Sequence, residues 1–208
     1  MGNLSVKGFL LMFFVLGGIL GFSNFWISYN SPPATENSSH EFSAVKSILK
    51  KIDVDRSDWK TITMSSSRKV KIPKKKVWEV WSKIENWKYW PNASVKSTRW
   101  LSKPEWRIGS EFEQEVGLGF PLGTEVLKES IFEYKEGESV GWYRNAYDYI
   151  SYNLWKFEEL PDGNTIITSA QVLNGYSVGM LKPLVAERWQ TKLDESVEGF
   201  VKYLLSVN

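Results

Sequence analysis

Apolar positions fall into three patterns along the chain. Residues 8–27, GFLLMFFVLGGILGFSNFWI, form one continuous run without a charged residue. In residues 41–52 the apolar side chains Phe42, Val45, Ile48, Leu49 and Ile52 make a helical stripe, with Lys46, Lys50 and Lys51 off it. From residue 59 to residue 173 a period of two dominates, broken by one helical stretch. A second long stripe, Leu181, Leu184, Val185, Trp189, Leu193, Val197, Val201, Leu204 and Leu205, predicts a terminal helix over 181–206. Pro183 then falls in its first turn, where a missing N–H costs little.

Residues 59–72 read as a first strand. Pro73 ends it and suits a helix start, and Val77, Val80, Trp81 and Ile84 mark one helical face. Residues 86–91 form a second short helical turn stopped by Pro91. Strands are expected at 95–101, 110–116, 124–134, 139–144, 149–159 and 165–173. Turn residues join them, among them Gly117, Gly119, Pro121 and Gly123, then Gly137, then Pro161-Asp162-Gly163-Asn164. Such short links pair neighbouring strands antiparallel. The expectation is an α+β fold: a curved, seven-stranded antiparallel sheet wrapped around a long C-terminal helix, with two short helices after strand one.

The chain divides accordingly into a hydrophobic segment (1–29), a Pro/Ser/Asn-rich linker (30–40), an amphipathic helix with its connection (41–58) and a folded domain (59–208). Helix 41–52 either docks on that domain or lies on a membrane surface. Roughly 20 helical residues rise about 30 Å, enough to cross a bilayer core. Residues 8–27 therefore predict an N-terminal transmembrane or signal helix. Lys7 precedes the run and no Lys or Arg follows until Lys46, which places the domain on the extracytoplasmic side. The anchor reading gives a single-pass membrane protein. A cut after Ser23, with Gly21 at position −3, gives a secreted or periplasmic one.

Composition removes several chemistries. There is no cysteine, so thiol catalysis, disulfides and Cys-based metal sites are excluded. The one histidine, His40, sits in the linker, away from any expected pocket. Residues 117–123 lack the Gly-Lys-Ser/Thr ending of a phosphate loop. No cofactor or metal is expected. Net charge is +2, too small to point to nucleic acid, and a monomer is expected. The chain carries 11 Trp, 9 Tyr and 11 Phe, so its interior is either a thick aromatic core or a ring-lined cavity.

Four segments carry a family resemblance: Ile72-Pro73 followed by VWEVWSKIENWKYWP; Trp106-Arg107-Ile108-Gly109-Ser110-Glu111-Phe112; Trp155-Lys156-Phe157-Glu158 before Asp162-Gly163-Asn164-Thr165; and the closing helix with Trp189. With these, residues 59–208 resemble the START / polyketide cyclase–dehydrase superfamily, also called SRPBCC, with its helix-grip fold. The resemblance implies a cavity between sheet and terminal helix that takes a lipid or other hydrophobic small molecule. It carries over no catalytic residue, because the family has no universal catalytic motif.

In strand 149–159 one face bears Tyr149, Ser151, Asn153, Trp155 and Phe157 and is expected to point inward. Ser151 and Asn153 would be polar handles among rings. Trp90, Phe112, Trp142 and Trp189 are further candidates for the cavity wall. Glu129 lies between Leu127 and Ile131 at period two, so it too is a candidate inward group. A desolvated carboxyl has a raised pKa and can act as an acid. Glu111, Glu113 and Glu115 share the opposite face from Phe112 and belong in solvent. Arg68, Lys69, Lys71, Lys74, Lys75 and Lys76 form the strongest charge run, a solvated edge or a contact for anionic lipid. Three functions remain: a membrane-tethered binding module, a cyclase/dehydrase-like enzyme using Glu129 and Arg144, and a ligand-free interaction domain.

Overall fold

The computed structural model describes residues 39–91, 94–119, 123–146 and 148–208. The expected transmembrane or signal segment at 8–27 lies outside the described residues. Among the described residues, no helix is long and apolar enough to cross a membrane.

Helix α1 (Ser39–Ile52) leads into β1 (Thr61–Val70), α2 (Lys74–Trp81) and a 3-10 turn (Ile84–Tyr89). Six strands follow: β2 (Val95–Trp100), β3 (Glu111–Gly119), β4 (Gly123–Lys135), β5 (Ser139–Asn145), β6 (Tyr149–Glu159) and β7 (Thr165–Gly175). The chain closes with α3 (Tyr176–Ser206). The seven strands form one antiparallel, curved sheet in the order β1-β7-β6-β5-β4-β3-β2. Strands β2 to β7 pair with their sequence neighbours, and β1 returns beside β7 with Thr61 opposite Asn174 and Val70 opposite Thr165.

The period of two sorts each strand between two layers. On β6, Trp155 and Phe157 join the core beneath α2 and α3, while Leu154 faces the other way. Leu154, Ala170 and Val172 meet Ala44, Val45 and Ile48 of α1, so the first amphipathic helix covers the sheet's outer face. That helix begins at Ser39, which puts His40 in its first turn rather than in a linker.

Trp81, fully buried, is the hub of the inner core. Its ring centroid lies 5.3 Å from that of Trp87, 5.7 Å from Trp155 and 5.2 Å from Phe157. Burying side chains of this size stabilises the fold by about 1.5–3 kcal/mol each.

Two of the boundaries that differ from the sequence expectation bear on how α3 is held. Helix α3 starts at Tyr176, so Pro183 lies inside it rather than in its first turn. The cause is remote in sequence: the Asp148 carboxylate accepts from the Ser177 N–H and Oγ–H, each at 3.0 Å, across a separation of 29 residues. Those bonds satisfy donors of the first turn that would otherwise be open. Trp59 lies outside β1, half-exposed, with its ring edge-on to Tyr176 at 5.2 Å.

Candidate functional site

The concave face carries three bands, each set by the alternation along β3 to β7. The first is the aromatic core. It holds four of the residues expected to line a cavity: Trp90, Phe112, Trp142 and Trp155. They meet ring to ring. Trp90 is 4.8 Å from Phe200 of α3, Trp155 is 5.7 Å from Trp90, and Phe112 is 5.6 Å from Trp142. The end of the interior under α2 is therefore packed.

The second band is apolar too. Ile62, Met64, Leu173 and Val178 are buried there, with Tyr149, Val185, Trp189 and Leu193 packed against them. Trp189 and Tyr149 thus belong to a different cluster from the other four rings.

Between the two lies a row of polar side chains, each two residues along its strand from an inward neighbour. Gln114 follows Phe112 on β3, Glu129 precedes Ile131 on β4, and Arg144 follows Trp142 on β5. Ser151 and Asn153 precede Trp155 on β6, and Gln171 lies opposite Asn153 on β7. The register brings these together: Phe112 faces Glu129, Ser130 faces Tyr143, and Arg144 faces Ser151.

The row is partly self-satisfied. Gln171 Nε2 donates to Asn153 Oδ1 at 2.7 Å, and Gln114 Nε2 donates to Glu129 Oε1 at 3.1 Å. Arg144 Nη2 donates to Tyr149 Oη at 2.7 Å, with the guanidinium 5.4 Å from that ring's centroid. Arg144 Nη1 lies 3.7 Å from Glu125 Oε2.

Other atoms are not satisfied. Glu129 Oε2, Arg144 Nε and the indole Nε1 atoms of Trp81, Trp90 and Trp142 are buried without a hydrogen-bond partner among the described residues. Each such group costs about 1–3 kcal/mol when left unpaired. Native interiors pair nearly all of theirs, so the two that fall in the polar row, Glu129 Oε2 and Arg144 Nε, mark a place suited to a further partner.

Glu129 is the electrostatic centre of the row. It is 2% exposed. Burial pushes its carboxyl up to about 7, against the pull of the Arg144 charge and the Gln114 bond. A group titrating there can hold or release a proton near neutrality. Burial also raises the Tyr149 phenol, with Arg144 opposing.

Gln114 and Gln171 were not among the expected site residues, and Arg144 was expected only for an enzyme. Gln114 is readable from its alternation with Phe112. Gln171 is not, because TIITSAQVL has no clean period. Elsewhere, Glu113 pairs with Arg99 Nε at 2.9 Å and Glu111 with Lys128 at 2.9 Å on the outer face. In the basic run, Lys69 pairs with Asp162 at 2.8 Å and Arg68 with Glu198 at 3.3 Å. Lys74 and Lys75 line an open cleft of about 670 Å³ over Trp78, which mixes lysines with Glu79, Glu136 and Glu159. No orphaned buried atom belongs to it. Among the described residues, no group of three or more His, Asp or Glu side chains is placed to hold a metal ion.

Comparison with known proteins agrees with this architecture. The family model described as polyketide cyclase / dehydrase and lipid transport matches residues 61–205. The search of curated proteins finds no match. Among solved structures, TTHA0849 from Thermus thermophilus is similar at a TM-score of 0.58 and 14% identity, over 70% of this chain and 99% of that one. A START superfamily protein from Mycobacterium smegmatis is similar at 0.53 and 14%, over 69% and 99%. The di-domain ARO/CYC StfQ from the steffimycin biosynthetic pathway is similar at 0.51 and 18%, over 68% of this chain and 44% of that one. At these identities the likeness is one of fold.

Proposed function

The chain belongs to the polyketide cyclase / dehydrase and lipid transport family, and from that premise we propose that it binds a lipid or other hydrophobic small molecule between the concave sheet and α3. One observation carries the reading: a polar row with orphaned buried atoms crosses an otherwise apolar interior. Small-molecule sites have this composition, mostly apolar with a few polar groups that orient the ligand. Glu129, Arg144, Ser151 and Asn153 hold the polar end. Trp142, Tyr149 and Trp189 contact the apolar body. Trp90, Phe112 and Trp155 support the wall from behind.

In the same proposal, residues 8–27 tether the protein to a membrane as a single-pass anchor, with the domain on the extracytoplasmic side and acting as a monomer. The uncharged length of that segment and the position of Lys7 support it. Cleavage would instead release the same domain. Alkaline extraction of membranes separates the two: an anchored chain stays with the pellet and a cleaved one leaves it.

The binding claim is tested by native mass spectrometry of the full chain released from lipid nanodiscs. A one-to-one adduct of an apolar compound is expected. A bare mass that persists after incubation with lipids and aromatic probes contradicts it.

One observation favours a second reading, catalysis of the cyclase/dehydrase kind. Glu129 titrates at about 7 beside the Arg144 charge. It would move a proton while Arg144 steadies developing negative charge. Full turnover by Glu129→Gln removes that reading.

A further inference from the structure

We propose that the ligand of this site is an apolar or aromatic acid whose carboxylate sits against Arg144, and that Glu129 takes up a proton from solvent as it binds. The inference rests on the binding reading above and adds the chemistry of the ligand's polar end.

In and beside the row, the orphaned Arg144 Nε and the Nε1 of Trp142, two residues before it on β5, can only donate. The other orphaned atom of the row, Glu129 Oε2, is an oxygen. The unmet capacity is thus rich in donors and calls for an acceptor. A carboxylate offers two oxygens with about four lone-pair sites.

Charge points the same way. The Arg144 side chain is only 15% exposed, and Glu125 Oε2 approaches no closer than 3.7 Å. A neutral ketone or alcohol would satisfy the Trp142 N–H but would leave that guanidinium without a hydrogen-bonded anion. A buried guanidinium gains most from a hydrogen-bonded counter-ion.

Placement then brings in Glu129. Trp142 and Arg144 lie two apart on the same face of β5. The pairing of Ser130 with Tyr143 sets Glu129 beside Arg144 on the neighbouring strand. A carboxylate reaching Arg144 Nε therefore meets Glu129 Oε2. Two charged carboxylates cannot share a buried place, so they share one proton. The groups facing Glu129 are Gln114 from β3, Arg144 from β5, Tyr149 from β6 and Glu125 on its own strand. Arg144 is the one cation among them, and it cannot neutralise two anions. The neutral Glu129 carboxyl then donates through Oε2 to the ligand oxygen. Its titration near 7 makes the proton uptake measurable at ordinary pH.

The test is calorimetric titration of the full chain in phosphatidylcholine nanodiscs, with empty nanodiscs as blank. The probes are 1-naphthoate and dodecanoate, each against its matched alcohol, 1-naphthalenemethanol and dodecanol. The two acids distinguish an aromatic from a fatty ligand. The Kd of the preferred acid is expected to rise about tenfold from pH 6 to pH 8. Buffers of different ionisation enthalpy should report uptake of close to one proton at pH 8. Glu129→Gln, which stays neutral and keeps a donor, should bind the acid with a Kd that no longer changes with pH. Arg144→Gln should lose most acid binding. A pH-independent Kd for the acid in the wild type, or tighter binding of the alcohols, overturns the proposal while leaving the binding reading intact. Binding of none of the four probes overturns both.

Discussion

The Gln114 side-chain amide donates to one oxygen of Glu129 at 3.1 Å, and the other oxygen of that carboxyl is buried with no partner among the described residues. The two residues sit on adjacent strands at the boundary between an aromatic core and the rest of the concave face. A half-satisfied carboxyl there is costly in isolation and useful beside a ligand.

Glu129 should make folding stability depend on pH. Its carboxyl titrates at about 7 in the folded chain, against an ordinary 4.5. Between those values the folded state holds a proton that the unfolded state has lost. Stability from this group is therefore full below about pH 4.5 and declines as pH rises to 7, by about 3 kcal/mol in all. Glu129→Gln lacks that decline. Its Tm relative to the wild type should climb between pH 4.5 and pH 8, read by circular dichroism. A constant offset would show that the carboxyl is not desolvated.

Trp155→Ala should cost about 3–5 kcal/mol in denaturant unfolding, since its ring is 5% exposed among Trp81, Trp90 and Phe200. Trp189→Ala, half-buried on α3, should cost clearly less and should weaken ligand uptake instead. Equal losses of stability would place both rings in one solid core.

Gly199 sets how closely α3 approaches the turn before β2. A Cβ built there would collide with the Pro91 carbonyl oxygen. Gly199→Val should destabilise the domain by about 2 kcal/mol or more. Unchanged unfolding would mean that α3 can lift away freely.

Asp148→Ala should loosen the start of α3, because the carboxylate holds both the Ser177 N–H and its hydroxyl. The expected loss is about 1 kcal/mol. Amide exchange should accelerate over the first turn of α3 and stay unchanged at its far end near Phe200. Uniform acceleration would contradict a local cap.

The fold was largely readable because its signals are local. Turn residues and period-two alternation give six strands in a row, and the stripe from Leu181 to Leu205 gives the closing helix. What escaped depends on contacts between distant residues. The start of α3 is fixed by Asp148, which no local pattern reveals. Glu129 was readable as a candidate inward group, since it lies between Leu127 and Ile131 at period two. Arg144 and Gln171 were harder. Their roles appear only when the register sets Arg144 beside Glu129 and Gln171 opposite Asn153. Nor does aromatic content separate wall from core. Trp90 and Trp155 meet in a tilted ring contact inside the packed core, whereas Trp189 belongs to the second cluster.

The claim that a ligand occupies the polar row between sheet and α3 is tested most directly by filling that row. Native mass spectrometry should compare the wild-type full chain with Asn153→Trp, which adds bulk beside Gln171 and Ser151, and with Lys96→Trp on the exposed side of β2 as control. All three should fold, as judged by circular dichroism. The account predicts a one-to-one adduct in the wild type and in Lys96→Trp, and its loss in Asn153→Trp. Equal occupancy in folded Asn153→Trp would place the ligand elsewhere and contradict the account.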